Sequence, residues 1–244
     1  MTTSQRSSTV HDRRMVAGGL TLGVMARPPV PGRCKTRLAN GIGADAAAAL
    51  YEAMLLDTLD GLSRIQARHV LLAAPEDDGA AALSRLAPRG WEVIVQRGTG
   101  LGERLANSMR DLWQEGQLVC LLDSDSPTLP LDSIASRLAD PRCHDARTAV
   151  VGPCEDGGYY LIGANTAEPG LFDDIPWSTA LVLDATRARC AALGLALEEL
   201  PAWFDVDCAT DLERLARDVV RDPSLAPRTG AVLASRYPRR GRKP

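Results

Sequence analysis

The chain has 244 residues, 45% of them hydrophobic and 24% charged, with a formal net charge of −3. That length and composition fit one globular domain with a sizeable core, or one domain with a small appendage. A net-negative chain with only 4% aromatics lacks both the basic excess and the stacking surface of a nucleic-acid binder, so that class of partner is excluded. No run approaches the roughly 20 apolar residues that span a bilayer, so no membrane segment is predicted.

Residues 1–19 carry Ser, Thr, Arg and His without an apolar stretch and read as a disordered leader rather than a signal peptide. The six cysteines (Cys34, Cys120, Cys143, Cys154, Cys190 and Cys208) form no Cys-x-x-Cys pair. They fit reduced thiols in the cytoplasm better than a zinc site or a disulfide framework. The apolar run Leu20 to Ala26 predicts a first strand ending in a Pro-rich turn, and the Ala- and Leu-rich stretch from Ala44 to Leu62 a long helix. A strand over His69 to Ala74 and a helix over Gly79 to Leu86 follow, then a strand over Val93 to Gln96 and a helix from Leu101 to about Glu115. Leu118 to Leu122 has the pattern of a fully buried strand. Beyond it, Thr148 to Gly152 and Tyr159 to Gly163 read as strands, and Leu181 to Leu193 and Thr210 to Val220 as helices. Strands alternating with helices predict an α/β domain over 20–222, with a doubly wound, mostly parallel sheet covered on both faces in three layers. Residues 223–244 form a C-terminal extension whose tail from Arg236 is a solvated basic end or a contact for an acidic partner.

In such sheets ligands bind beyond the carboxyl ends of the strands, so the loops there carry the chemistry. After the first strand, three prolines and Gly32 stiffen a turn that holds Arg27, Arg33, Lys35 and Arg37 within eleven residues. A rigid cationic loop suits polyphosphate, with Arg as bidentate donor and Lys as point charge, although a solvated charged turn has the same composition. The Walker Gly-Lys-Ser/Thr triplet is absent, and Gly41-Ile42-Gly43 lies too far past the strand for a dinucleotide fingerprint, marking instead the entry to the long helix. After the buried strand, Asp123-Ser124-Asp125-Ser126-Pro127 places carboxylates at alternate positions, as a hard cation or a turn cap requires. Asp205-Val206-Asp207 is a second acidic cluster before a helix. Between them, Glu155 and Asp156 are acceptor contacts, a base or turn caps, and Gly157 and Gly158 permit close backbone approach before Tyr159. Trp177, Ser178 and Thr179 offer a substrate wall or, for Trp177, plain packing. His11, His69 and His144 accompany no nucleophile motif, which excludes triad chemistry.

Six motifs occur in a fixed order: Pro-Val-Pro-Gly-x-x-Lys-Thr-Arg-Leu, Leu-Gly-Glu-Arg at 101–104, Asp-Ser-Pro-Thr-Leu-Pro, Glu-Asp-Gly-Gly-Tyr-Tyr-Leu-Ile-Gly, Pro-Trp-Ser-Thr and Asp-Val-Asp. From about Leu20 to Leu215 the chain resembles the DUF2064 family, a glycosyltransferase-A-like branch of the nucleotide-diphospho-sugar transferase superfamily. The resemblance implies that Asp125 and Asp207 bind the metal beneath the phosphates, Mg²⁺ or Mn²⁺. It also implies that Arg33, Lys35 and Arg37 form the basic loop over a triphosphate. Asp123 stands where relatives often have Gly, and Gly100 where the family often has Asp.

Four groups of residues are therefore expected at the site. Lys35, Arg33 and Asp125 are the catalytic set. Arg27, Gly32, Arg33, Lys35 and Arg37 hold phosphates, and Glu155, Asp156, Gly157, Gly158, Tyr159, Trp177, Ser178 and Thr179 hold substrate. Asp125 and Asp207, with Asp123 as a further ligand, hold metal. The expected reaction moves a nucleoside monophosphate from a triphosphate to a phosphorylated or phosphonate-like small metabolite, releasing pyrophosphate. Its alternatives are glycosyl transfer from a nucleotide sugar, with Glu155 or Asp156 as base, and a non-catalytic nucleotide-binding module.

Overall fold

Apolar patterning dictates the layers. The computed structural model describes residues 19–76, 79–167 and 169–236. The expected leader, Gly19 apart, and the basic tail beyond Arg236 lie outside the described residues. Seven strands are present among the described residues: β1 (Leu20–Ala26), β2 (Arg68–Ala73), β3 (Glu92–Val95), β4 (Leu118–Leu122), β5 (Thr148–Pro153), β6 (Tyr159–Ala164) and β7 (Ala196–Glu199). They form one sheet in the order β3-β2-β1-β4-β6-β5-β7. The helices are α1 (Thr36–Ile42), α2 (Ala44–Leu62), α3 (Gly79–Leu86), α4 (Leu101–Leu112), α5 (Leu131–Leu138), α6 (Val182–Ala192), α7 (Asp211–Arg221) and α8 (Pro227–Arg236). None is long and apolar enough to cross a membrane among the described residues.

β4 shows why the sheet is covered on both faces. Its Leu118, Cys120 and Leu122 join one apolar layer with Leu55 and Leu59 of α2, Leu83 of α3 and Ile134 of α5. The alternate residues Val119 and Leu121 join the opposite layer with Leu105 and Met109 of α4 and Cys190 of α6. Each fully buried leucine in these layers contributes about 1.5–3 kcal/mol. β1 runs parallel to β2 and β4, β2 to β3, and β5 to β7. β6 alone runs antiparallel, against both β4 and β5. The expected mostly parallel sheet is thus present, with one reversed strand between β4 and β5. The reversal follows from the short Cys154–Gly158 turn, which leaves no length for a crossover helix.

The topology fixes the position of the loops. Val24 of β1 pairs with Leu122 of β4, so both strands end at one edge and their following loops are neighbours. Because β6 is reversed, the β5–β6 turn reaches the same edge, and the Asp123 amide donates to the Tyr160 carbonyl there at 2.9 Å.

A third apolar cluster lies beside the sheet. Leu38 of α1, Leu50 and Met54 of α2, Leu215 of α7 and Leu233 of α8 pack with Phe204 and Val206. The start of α8 is fastened by a buried carboxylate of α2. Asp57 accepts from the backbone amides of Thr229 at 2.8 Å and Arg228 at 3.2 Å, and from Arg228 Nη1 at 3.4 Å. This supplies acceptors to helix-end donors that the helix itself leaves unsatisfied. Replacement Asp57→Ala should therefore lower stability by about 1–3 kcal/mol and loosen α8 first. Urea unfolding with amide exchange checks this, and an unchanged midpoint would mean that apolar contacts alone hold α8.

Candidate active site

The loop after β1 is a series of turns that aims one side chain inward. The Val30 amide donates to the Pro28 carbonyl at 2.8 Å and the Arg33 amide to the Val30 carbonyl at 3.0 Å. Gly32 sits between them at φ +76°, in open space, where a side chain would be strained. Lys35 precedes α1 in the left-handed region, at φ 44° and ψ 48°. Only Lys35, Asp174 and Ser178 are non-glycine residues with positive φ among the described residues. Two of the three, Lys35 and Ser178, line the same cleft. Such backbone strain, about 1–3 kcal/mol per residue, persists where the surroundings enforce it. Here it turns the Lys35 side chain into the protein, leaving it 6% exposed.

Lys35 Nζ meets two carboxylates from distant parts of the chain. It donates to Asp125 Oδ2, and to Asp207 Oδ1 at 2.5 Å. Arg37 Nη1 adds a longer contact of 3.5 Å to Asp207 Oδ2. The two acidic loops are joined through backbone, because the Val206 amide donates to the Asp125 carbonyl at 3.2 Å. Burial opposes the Lys35 charge, but Asp125 and Asp207 outweigh it and raise the pKa, so this ammonium stays protonated.

Further carboxylates crowd behind this pair. Asp123 is pushed well above the usual carboxylate range by burial and then by Asp125. Its Oδ2 accepts from Ser126 Oγ at 2.7 Å, while Oδ1 is buried without a protein partner. Asp205 is raised to about 6, first by burial and then by Asp125, Asp207 and Asp156. Cys154, Asp156 and Asp205 bring ligand atoms within 4.8 Å of one another, and burial raises the Cys154 thiol pKa. Oxygen donors from three loops, one of them orphaned, match a hard cation such as Mg²⁺ or Mn²⁺. Asp125 and Asp207 flank the Lys35 ammonium, and their charges reach Asp123 and Asp205. Asp205 was not singled out among the expected ligands. Alternation in an extended chain puts Asp205 and Asp207 on one side, while Phe204 and Val206 turn to the core.

The cleft has a volume of about 530 Å³ and is lined by Arg27, Arg33, Lys35, Arg37, Asp125, Ser178 and Asp207, together with Tyr51. Tyr51, from the middle of α2, was missed in the sequence because it sits among alanines and leucines. Its hydroxyl lies 2.9 Å from Ser124 Oγ and accepts from the Arg27 amide at 3.2 Å, tying the basic loop to the acidic one. Burial pushes the phenol up to about 12, so it remains neutral. A larger groove of about 700 Å³ lies between α1, α7 and α8. It is lined by side chains such as Leu212, Val219 and Leu233 and lacks converging polar groups.

The remaining expected residues divide. Glu155 pairs with Arg214 at 2.5 Å, and Asp156 accepts from the Gly158 amide at 2.8 Å. Gly157, at φ +89°, uses its missing side chain against its own chain, since an added Cβ would lie 2.2 Å from the Ala180 carbonyl oxygen. Tyr159 packs edge-on against Trp177 at 6.4 Å. Trp177 itself lies over Gly102 and lines a neighbouring cleft of about 580 Å³ with Thr99, Glu103 and Arg110. Thr179 accepts from the Leu181 amide at 3.2 Å, which leaves Ser178 as the member of this trio that lines the Lys35 cleft. The Gly41–Gly43 segment closes α1 and opens α2, with Gly43 at φ 88° between them.

Comparison with known proteins gives a consistent picture. The family described as "uncharacterized protein conserved in bacteria (DUF2064)" matches residues 58–179. A 3-phospho-D-glycerate guanylyltransferase of Phenylobacterium zucineum (strain HLK1) is 30% identical over 191 residues, covering 75% of this chain and 84% of that protein. A putative nucleotide-diphospho-sugar transferase of Desulfovibrio desulfuricans G20 superposes with a TM-score of 0.79 at 32% identity, covering 88% of this chain and 94% of that one. A CMP:2-keto-3-deoxy-manno-octonic acid synthetase complexed with CTP shares the fold, with a TM-score of 0.55 at 14% identity over 84% of this chain and 99% of that one. The ordered motifs, the mixed α/β sheet and these likenesses agree, and the chain belongs to the DUF2064 family, with the fold of the nucleotide-diphospho-sugar transferases.

Proposed function

We propose that this protein is a nucleotidyltransferase that moves a nucleoside monophosphate from a triphosphate to the phosphate of a small metabolite. The observation that carries the reading is one cleft that joins four cationic side chains, in and just after the loop following β1, to Asp125 after β4 and Asp207 before α7. An acceptor phosphate, with a second pKa of about 6, is already largely dianionic at neutral pH and needs no strong base. Its oxygen attacks the α-phosphorus, the bond to the bridging oxygen breaks, and pyrophosphate leaves carrying the electron pair. Arg33, Lys35 and Arg37 line the cleft where the triphosphate oxygens would lie, and Arg27 extends the basic rim. A divalent cation held by Asp125 and Asp207 would supply further neutralisation of the charge that develops on the leaving group.

Glycosyl transfer has less support. It requires a base for an acceptor hydroxyl, and both expected candidates are engaged, Glu155 by Arg214 and Asp156 by the Gly158 amide. Guanosine triphosphate with 3-phosphoglycerate is the first pair to try, because the relative from Phenylobacterium is a guanylyltransferase for that acceptor. The six unpaired thiols support a reducing cytoplasmic setting.

Pyrophosphate release in the presence of Mg²⁺ or Mn²⁺ is the test, with thermal shift as a check on folding. Wild type should turn over, and Asp125→Asn should fold but lose on the order of 10²–10³-fold in rate, as when one charge-stabilising group is removed. Full activity in Asp125→Asn would remove that residue from the site. Lys35→Ala should weaken triphosphate binding far more than nucleoside binding, and equal losses would make the loop a structural element.

Asp205 also gives stability a pH dependence. Its carboxyl is ordinary near 3.8 when unfolded and held at about 6 in the fold. Between those values the folded state keeps a proton that the unfolded state has lost, so stability falls as pH rises through this window. In chelator, Asp205→Asn should melt above wild type at pH 7.5 and level with it near pH 4. Calorimetry showing the same gap at both pH values would assign the difference to packing instead.

A further inference from the structure

Two of the chain's 28 basic residues are lysines, Lys35 and Lys243. Every other basic position is arginine, including Arg27, Arg33 and Arg37 around the same cleft. The residue that bridges Asp125 and Asp207 is therefore an ammonium in a chain whose other basic side chains, Lys243 apart, are guanidinium. The two cations differ in shape. A guanidinium is a flat fork suited to one carboxylate edge, whereas an ammonium is a compact charge that fits between oxygens from two groups. Lys35 Nζ has that placement, within hydrogen-bonding reach of Asp125 Oδ2 and Asp207 Oδ1.

These are the same two carboxylates that would hold the divalent cation, and a metal at carboxylate-oxygen distance from both would overlap the ammonium. We infer that Lys35 is a displaceable counter-ion, so that its ammonium and the divalent cation are alternative occupants of the Asp125–Asp207 pair. The inference rests on the metal assignment made above. Displacement has a destination, because Lys35 lies on the wall of the cleft between Arg33 and Arg37. Its flexible four-carbon stem lets the ammonium turn from the aspartates to phosphate oxygens while the strained backbone stays fixed. One side chain thus holds the acidic loops together before the nucleotide binds and joins the phosphate-binding set afterwards. A metal that arrives alone meets the internal cation as a competitor. A metal that arrives with a triphosphate brings the anion that receives the displaced ammonium, so metal and nucleotide bind with positive coupling.

Competition makes an unusual prediction: removing a basic residue from the site should tighten metal binding. An internal ligand that occupies the site reduces apparent affinity by the fraction of molecules left competent. In Lys35→Met, of similar length without charge, Mn²⁺ without nucleotide should bind about tenfold or more tightly than in wild type, followed by the loss of the free-ion electron paramagnetic resonance signal. In the same variant, addition of guanosine triphosphate should improve Mn²⁺ affinity less than it does in wild type. Equal or weaker Mn²⁺ binding by folded Lys35→Met overturns the inference and leaves the metal assignment standing. Binding by neither protein overturns both.

Wild-type protein supplies a second readout that does not depend on the variant's folding. Acylation of Lys35 by an N-hydroxysuccinimide ester, quantified by mass spectrometry against Lys243 as internal reference, should be slow in chelator and rise about tenfold or more with Mn²⁺. It should fall again when guanosine triphosphate is added. Lys35 acylation that ignores Mn²⁺ while Mn²⁺ binds would mean that ammonium and metal do not share the pair, and the inference fails.

Discussion

Repulsion among carboxylates is the constraint on which the site depends. Asp123, Asp125, Asp156, Asp205 and Asp207 converge at one edge of the sheet, with Asp123 and Asp205 largely away from water, where like charges interact more strongly than in solution. The fold answers in three ways. It places a buried ammonium between Asp125 and Asp207. It lets Asp123 and Asp205 hold protons to higher pH than ordinary carboxylates. It also pins the acidic loops to each other by backbone, through Val206 to Asp125, so that repulsion cannot spread them. A structure with no use for this density of charge would be more stable with neutral residues in the same places. The concentration of acids is therefore best read as a functional requirement that the scaffold tolerates.

The sheet explains why these groups meet. β1 and β4 are parallel neighbours, so a cationic loop and an anionic loop leave the same edge side by side. The reversed β6 brings the Cys154–Gly158 turn to that edge from the other direction. The segment at 203–207 closes the arrangement, its Trp203 bridging to Cys154 and its Val206 amide reaching Asp125. Tyr51 supports the junction from below, touching both Ser124 and the Arg27 amide from within α2. Arg27, Arg33 and Lys35 lie in the loop between β1 and α1 and Arg37 in α1, so the turns of that loop set where the cations stand.

The parts of this architecture that sequence reveals are those governed by local pattern. β1, α2, α3 and β4 have the limits that apolar runs and helix-forming composition suggest, because one uninterrupted property defines each. α1 was not legible, because Asn40 and Gly41 weaken its short helix and its support comes from Leu38 packing into the third apolar cluster. α8 begins Pro-Arg-Thr-Gly within what reads as a C-terminal extension with no assigned helix, yet a carboxylate 171 to 172 residues away holds its first turn. β7 exists by pairing with β5 rather than by any run of strand-forming residues. At the site, the types of residue were visible and their connections were not. Lys35 lies 90 residues from Asp125 and 172 from Asp207, and no local rule links such positions. For the same reason Tyr51 has no signal in the sequence and Asp205 is visible only as part of an acidic cluster, while Trp177, chemically conspicuous, faces a neighbouring cleft.

Charge balance also constrains the substrate. Arg27, Arg33 and Arg37 line the cleft as cations, and Lys35 is already matched by two aspartates. A nucleoside triphosphate carries about four negative charges at neutral pH, each phosphate group being strongly acidic apart from its last proton near pH 6. Added alone, it would place those charges beside carboxylates whose counter-ion is in use. On the exchange inferred above, a divalent cation added with it would satisfy the aspartates and free the ammonium in one event, without movement of the backbone. A neutral acceptor would gain little from these cations. An acceptor that is itself a phosphate can be drawn to the same arginines and presented to the α-phosphorus without first losing a proton. The physical preference of the cleft is thus for reactions in which both partners are anions, and nucleotidyl transfer to a phosphorylated metabolite is such a reaction.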